Sequence, residues 1–319
     1  MNENKTLYIV VPCYKEQEVL PETSKRLKAK MLDLIAAGKV SEKSRIMFVN
    51  DGSSDNTWPM IAALHEQEPE IFSGVNLSRN RGHQNAVLAG MLTAVNYADM
   101  IITMDADLQD DINAVDGMVK AYHEGYEVVY GVRSKRDTDT FFKRFTAEGF
   151  YKVMKALGVD IVFNHADYRL MSRRAVEGLA QFTEVNLFLR GIVPQIGYKW
   201  TTVTYERAER FAGESKYPLK KMLAFAADGI TSFSVKPIRM VFTLGVVIFA
   251  ISLLMLLYAL ISKILGYAHA GWTSLMGSIW LIGGIQLLSL GVVGEYIGKI
   301  YNETKRRPRF IIERVLNKE

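Results

Sequence analysis

Cysteine is almost absent: Cys13 stands alone in 319 residues, which excludes an internal disulfide framework and suits a reducing compartment. Also missing are the glycine fingerprints of the commonest nucleotide folds. Neither Gly-x-Gly-x-x-Gly nor Gly-x-x-x-x-Gly-Lys follows the first predicted strand, so a dinucleotide-dependent dehydrogenase and a P-loop kinase both lose support. No secretory leader is visible, because Met1 to Thr6 is polar and the apolar run Leu7 to Val11 is far too short for an h-region. The amino-terminal domain is therefore expected in the cytoplasm. The net charge is +5, yet no basic stripe interleaved with aromatics occurs, and nucleic acid is set aside as a partner. A charged fraction of 23% is that of a folded chain with one large or two ordinary domains.

The apolar residues are unevenly spread. Val241 to Ser262 and Trp272 to Gly294 carry no charge, and at about 1.5 Å rise per residue each reaches across a bilayer core of about 30 Å. Only a short segment separates them, which predicts a transmembrane helical hairpin, the alternative being two buried core helices. Lys220, Lys221, Lys236 and Arg239 precede the first run; Lys299, Lys305, Arg306, Arg307 and Arg309 follow the second; the tip holds only Lys263 and His269. The positive-inside rule puts both termini in the cytoplasm, and the basic excess suits anionic lipid. Leu219, Met222, Leu223, Ala226, Ile230 and Phe233 recur at helical spacing, as in an amphipathic helix lying in the interface or in an ordinary packed helix. Gly277, Gly284, Gly291 and Gly298 form a stripe suited to close helix contact, within the hairpin or between subunits.

The first 135 residues alternate strand and helix. Strands are expected at Leu7–Val11, Arg45–Val49, Gly74–Leu77, Tyr97–Met104 and Tyr126–Val132. Helices are expected at Glu16–Ala37, at Asp55–Glu66 with Ser53 and Ser54 as caps, at Gln84–Asn96 and at Ile112–Glu124. Such alternation predicts a mostly parallel sheet with flanking helices, whose ligands collect beyond the carboxyl ends of the strands. Three of those ends are polar. The first leads into Pro12-Cys13-Tyr14-Lys15-Glu16, the second into Asn50-Asp51-Gly52-Ser53-Ser54-Asp55, and the fourth into Asp105-Ala106-Asp107-Leu108-Gln109-Asp110. Asp105, Asp107 and Gln109 set three oxygen donors at spacing two, enough for Mg2+ or Mn2+ once substrate phosphate and water complete the shell; the plain alternative is an acidic surface turn. Tyr14 can stack on a base, and Glu16 or Asp51 can accept from uracil or ribose.

These motifs, with Asp167-Tyr168-Arg169-Leu170-Met171-Ser172 and Arg210-Phe211-Ala212-Gly213-Glu214-Ser215-Lys216-Tyr217, resemble in order those of the family 2 inverting glycosyltransferases. The likeness is greatest to the polyprenyl-phosphate group, which includes bactoprenol glucosyltransferases and is related to dolichyl-phosphate mannose synthases. The resemblance spans nearly the whole chain. It implies a GT-A-like α/β catalytic domain over 1–215, a juxtamembrane amphipathic helix over 216–236, a two-helix transmembrane hairpin over 237–298 (spans about 241–262 and 272–296) and a basic cytoplasmic tail over 299–319. It implies a multi-pass protein of a bacterial cytoplasmic membrane, a UDP-sugar donor, a polyprenyl phosphate acceptor, and self-association, a tetramer being one form. By the same resemblance Pro12, Tyr14, Glu16, Asp51, Asp105, Arg210 and Lys216 hold the nucleotide sugar, and Asp105, Asp107 and Gln109 hold metal and diphosphate. Lys15 stands where the group usually has Asn, and Arg81 where an aromatic is common.

The chemistry follows from charge. Breaking a sugar–diphosphate bond builds negative charge on the leaving oxygen, which a divalent cation stabilises as a Lewis acid, with Arg210 as a second clamp. A lipid phosphate, with a second pKa near about 6, is mostly dianionic at neutral pH and scarcely needs a base. Asp167, the expected general base by resemblance, is then free to orient sugar or acceptor, or serves only as a structural partner of Arg169. Arg133, Ser134 and Arg136, with Arg169, are expected to receive the lipid phosphate, and Asp107, Asp167 and Arg133 to carry catalysis; a solvated basic loop is the alternative for Lys135 and Arg136. The expected reaction is a single hexosyl transfer to undecaprenyl phosphate. A processive polysaccharide synthase, for which two spans offer no obvious channel, and a silent scaffold or sugar-nucleotide sensor are the alternatives.

Overall fold

A computed structural model describes residues 5–133, 165–185, 187–206, 236–265 and 271–318. The chain divides into two units. The first comprises the described residues up to Arg133, those from His165 to Glu206, and the carboxyl-terminal segment from Arg307. The second contains two long helices.

In the first unit the elements run β1 (Leu7–Cys13), α1 (Leu20–Ala36), β2 (Arg45–Asn50), α2 (Thr57–Gln67), β3 (Phe72–Leu77), α3 (His83–Ala94), β4 (Met100–Thr103), α4 (Ala114–His123) and β5 (Val128–Arg133). Then come β6 (His165–Ser172), α5 (Arg173–Ala180), α6 (Leu189–Gln195) and β7 (Trp200–Tyr205). The strands form one sheet in the order β7-β5-β6-β4-β1-β2-β3-β8, where β8 is Ile312–Leu316. β1, β2, β3 and β4 are mutually parallel, and β7 is parallel to β5. β6 runs antiparallel to both β4 and β5, and β8 antiparallel to β3. The expected mostly parallel sheet is thus present, with two strands reversed.

Every residue of β1 and β2 is buried, as befits strands covered on both faces. Leu7, Ile9, Val11 and Cys13 share one core with α1 and α4 residues such as Leu27, Met31, Val115 and Met118. Val10 and Val49 meet α3 on the other face, so closely that a Cβ on Gly90 would lie 2.3 Å from Val10 Cγ1 and 2.7 Å from Val49 Cγ2. Continuous apolar runs, rather than alternation, are what such strands need.

Several boundaries differ from expectation. α1 starts at Leu20 rather than Glu16, because Glu16 to Val19 form a turn whose first amide is held by Thr57 Oγ1 (3.0 Å), and Pro21 suits the first helical turn. α2 starts at Thr57, with Asp55 Oδ1 accepting from Thr57 N (3.1 Å) and Thr57 Oγ1 (2.7 Å); Ser53 and Ser54 are not its caps. Ser53 Oγ instead accepts from Lys15 N (3.0 Å), stitching the loop after β1 to the loop after β2.

The segment expected as a basic cytoplasmic tail, 299–319, contains a strand. Beyond Arg306 the chain returns to the sheet, where β8 covers the edge of β3, aided by Asn76 Nδ2 to Glu313 Oε2 (2.7 Å) and Tyr8 Oη to Asn317 Oδ1 (3.2 Å). A strand edge left open would invite pairing with another chain.

In the second unit α7 (Lys236–Ile264) and α8 (Trp272–Lys305) are each longer than the apolar run that predicted them. Their exposed residues include Phe242, Leu254, Met255, Leu287, Leu288 and Leu290. Among the described residues one segment, Leu281–Lys305, passes as long and apolar enough to cross a membrane, with a mean hydropathy of 1.4. Gly284, Gly291 and Gly298 meet nothing within 4 Å where a Cβ would stand, so among the described residues no close contact uses these three positions. The expected amphipathic helix over 216–236 lies outside the described residues, apart from Lys236, which begins α7.

Gly90→Ala is expected to lower stability by about 1–3 kcal/mol, because overlap with two strand valines outweighs the better helix propensity of alanine. Thermal unfolding in detergent reads this directly.

Candidate functional site

Topology alone collects polar loops at one edge. β1, β2, β3, β4 and β5 all point their carboxyl ends there. β6, being reversed, brings its start to the same place, with Arg169 opposite Thr103 and His165 opposite Val132. β1 lies between β4 and β2, so the chain moves toward β2 after β1 and toward β5 after β4, and beyond the ends of β1 and β4 is where such sheets usually form their ligand crevice.

At the crevice the acidic loop alternates. Asp105, Asp107 and Gln109 are half-exposed, whereas Ala106, Leu108 and Asp110 are buried. Leu108 holds φ at 58°, a left-handed value that costs a branched side chain roughly 1–2 kcal/mol, and Asp107 Oδ1 accepts from Gln109 N (3.2 Å). Although half-exposed at its surface, Asp105 is surrounded by protein that strips it of solvent, and this desolvation, with the Asp167 and Asp107 charges and against nearby His83, raises its pKa above the ordinary value. Burial and the Asp105 charge push Asp110 up to about 6. Asp110 takes a hydrogen bond from Tyr205 Oη (2.5 Å), and Arg133 Nη2 approaches it to 3.9 Å. The acidic loop is thus tied to the ends of β5 and β7.

Oxygen is the only donor type that Asp105, Asp107 and Gln109 offer, which suits a hard divalent cation. Among the described residues no three His, Cys, Asp or Glu side chains form a ready-made cage. A Mg2+ or Mn2+ site that completes its shell with phosphate and water needs only one or two carboxylates, and these residues fit that kind.

Asp167 is the most strongly held carboxylate. Arg169 Nη2 donates to Oδ1 (3.0 Å), and Arg190, from α6, donates through Nε to Oδ1 (3.2 Å) and through Nη2 to Oδ2 (3.0 Å). Burial would push its pKa up, but the Arg190 and Arg169 guanidiniums hold it well below the usual carboxylate range. Arg169, expected at a lipid phosphate, is 0% exposed and is paired with Asp167. His83, at the start of α3, sets Nε2 3.5 Å from Asp105 Oδ1 and 3.8 Å from Asp167 Oδ2.

Asp51 is 2% exposed and accepts from Arg81 N (2.7 Å) and Gly82 N (2.9 Å), so it shapes the 79–83 loop that leads to His83. Burial raises its pKa against those two amides. Gly52, at φ 61°, presses on the same loop, where a Cβ would stand 2.4 Å from Arg79 C. Tyr14 is exposed and Glu16 half-buried beside the crevice, whereas Pro12 is buried within β1. Ser134, Arg136, Arg210 and Lys216 lie outside the described residues.

His83, Arg190 and Tyr205 escaped sequence reasoning. The polar run Ser78-Arg79-Asn80-Arg81-Gly82-His83 at a strand end was a usable signal for His83. Arg190 and Tyr205 reach the site only through tertiary structure.

Asp167→Asn leaves buried Arg169 without its anion and is expected to cost about 3–5 kcal/mol. Because Asp167 is depressed in the fold, its stabilisation is complete above the unfolded carboxyl value near about 3.9 and fades as the pH falls below it. Melting temperature against pH should therefore drop in acid for the wild type, with this component missing from the variant. Lys15 holds φ at 57°, a conformation that asparagine tolerates well. Lys15→Asn is expected to raise stability by roughly 1 kcal/mol or less, read in the same melts.

Residues 8–179 match the model of glycosyl transferase family 2, and residues 236–300 that of the GtrB C-terminal hairpin. The chain is 53% identical to the uncharacterized glycosyltransferase YkoT of Bacillus subtilis, over 96% of this chain and 91% of that one. It is 39% identical to the prophage bactoprenol glucosyl transferase homolog of Escherichia coli, over 96% and 98% respectively. Among solved structures, the mannosyltransferase PcManGT from Pyrobaculum calidifontis, in complex with GDP-Man and Mn2+, is 14% identical with a TM-score of 0.43, covering 93% of this chain and 88% of that one. With a family 2 model matching more than half of its length and relatives aligned almost end to end, the chain belongs to glycosyl transferase family 2.

Proposed function

We propose that this protein is a hexosyltransferase that moves one hexose or N-acetylhexosamine from a UDP-sugar to undecaprenyl phosphate, with inversion at the anomeric carbon. The observation that carries the reading is the gathering of Asp105, Asp167, Arg169, Arg190 and His83 at one sheet edge, in a family 2 chain that aligns over 96% of its length with a bactoprenol glucosyl transferase homolog.

In this reading Tyr14 stacks on the base and Glu16 binds the nucleoside, while Asp51 contributes by fixing the 79–83 loop. Asp105, Asp107 and Gln109 would hold Mg2+ or Mn2+, and the cation would supply charge neutralisation for a departing diphosphate. Arg210 and Lys216 serve the donor; Arg133, Ser134 and Arg136 receive the lipid phosphate. Asp167 orients sugar or acceptor.

α7 and α8 both span the cytoplasmic membrane of a bacterium as a hairpin, with the catalytic domain and both termini in the cytoplasm. Their outward apolar side chains and flanking bases support this. The open glycine stripe on α8 supports self-association through that helix.

Incubating membranes that contain the protein with a panel of UDP-sugars and undecaprenyl phosphate is expected to add one sugar mass to the lipid with one donor. No increment with any donor overturns the reading, and a ladder of masses points to polymerisation. Asp107→Asn is expected to lower turnover by at least about a hundredfold, with membrane insertion unchanged. Chelation should abolish transfer and Mg2+ or Mn2+ restore it; full activity without a divalent cation counts against the metal assignment.

A further inference from the structure

The carboxyl-terminal strand is connected to the loop after β1 by a chain of side-chain amides. β3 and β8 keep one register from Gly74 opposite Leu316 to Asn76 opposite Arg314, then shift by one residue, with Leu77 opposite Ile312. The shift leaves Glu313 as the extra residue of a bulge, and bulges re-aim side chains. Glu313 Oε2 accepts from Asn76 Nδ2 (2.7 Å), Asn76 Oδ1 accepts from Asn50 Nδ2 (2.7 Å), and Asn50 Oδ1 accepts from Ser53 N (3.3 Å). Ser53 Oγ in turn accepts from Lys15 N (3.0 Å), between Tyr14 and Glu16.

The chain has one permitted direction. A carboxylate only accepts and a backbone N–H only donates, so the two ends decide how both amides between them lie. Turning Asn76 over would set its Oδ1 against Glu313, and turning Asn50 over would set its Nδ2 against the Ser53 amide. Asn50 is 2% exposed, where a mismatched amide leaves polar atoms unpaired and is costly. Glu313 therefore also orients an amide that it does not touch. Support of this kind matters at Lys15, whose φ of 57° is a left-handed value that lysine adopts at a cost. Asn76 and Glu313 stand outside every motif that carries the family resemblance.

We infer that Asn50, Asn76 and Glu313 are positioning residues for the donor: through Ser53 and Lys15 they hold Tyr14 and Glu16 in place to bind a nucleoside diphosphate. The strand β8 then serves the donor site as well as covering the edge of β3. The inference rests on the proposed reaction, in which Tyr14 and Glu16 take the nucleoside.

The full-length protein in detergent is titrated with uridine diphosphate plus Mg2+ and, separately, with undecaprenyl phosphate. The wild type is compared with Asn76→Asp, with Glu313→Gln and with the double variant, and melting curves accompany each titration. Asn76→Asp keeps an acceptor for Asn50 but sets a second carboxylate against Glu313. It is expected to weaken uridine diphosphate about three- to tenfold and the lipid phosphate about twofold or less. Glu313→Gln alone, whose amide can lie either way, is expected to cost about twofold toward uridine diphosphate. In the double variant the new amide donates to the new carboxylate and the direction of the chain is restored. Its affinity for uridine diphosphate should return to within about twofold of the wild type. Rescue by a second substitution that weakens binding on its own is a readout that a merely structural asparagine would not give.

Unchanged affinity for uridine diphosphate in a folded Asn76→Asp overturns the inference. So does an equal loss toward both ligands, or a double variant no better than Asn76→Asp. Should Asn76→Asp fail to fold, unchanged affinity in Asn76→Ala overturns it equally. A wild type that does not bind uridine diphosphate overturns the proposed donor along with the inference, whereas wild-type binding that Asn76→Asp retains removes the inference alone.

Discussion

The carboxylate of Asp167 between two guanidiniums is the contact on which the site depends. Arg169 is wholly inside the sheet layer, where an unpaired cation is costly, so an anion must sit beside it. Reversal of β6 supplies that anion two residues earlier, at the edge where the other strands end. Arg190 then ties α6 to the same point, and the bond from Leu189 to Gln84 ties α6 to α3. Three elements far apart in the chain meet on one carboxyl group.

The remaining loops are held by the same device of main-chain amides on side-chain oxygens. Asp51 fixes Arg81 and Gly82, Ser53 fixes Lys15, and Thr57 fixes Glu16. Each contact joins the loop after one strand to its neighbour's loop, so the crevice behaves as a linked rim. Gly52 shows how tight the joint is, since no Cβ fits between it and Arg79. Preorganisation of this kind reduces the ordering cost of binding a flexible ligand.

Much of this was legible in the sequence. Continuous apolar runs announced β1, β2 and β4 because strands covered on both faces bury every residue, and the polar residues at their ends marked the crevice. The pair Asp105 and Asp107 emerged from such a run. Arg190 and Tyr205 were invisible for a physical reason: Arg190 leaves a short helix, and Tyr205 ends a strand with an exposed, mixed pattern, so neither follows an apolar run at the site edge. β8 was hidden in a basic tail, whose charges suit the solvent side of an edge strand as well as they suit a lipid surface. The burial of Arg169 was not legible, because it follows from the pairing of its strand with β4 and β5 on either side.

The geometry also bears on whether the proposed transfer uses a base. A general base works best when its pKa lies near the operating pH, and Asp167 is held far below that by its two arginines. Its proton affinity is therefore poor for the role. The proposed acceptor, a phosphate with a second pKa near about 6, already carries the charge that attacks. Neither partner calls for proton removal, and the geometry of Asp167 is better matched to orientation, since two guanidiniums hold its carboxylate in one place. On a hydroxyl acceptor the same arrangement would be a handicap, since the nucleophile would still need to lose its proton to a group that resists accepting it. The paired arginines thus favour an acceptor that arrives ionised.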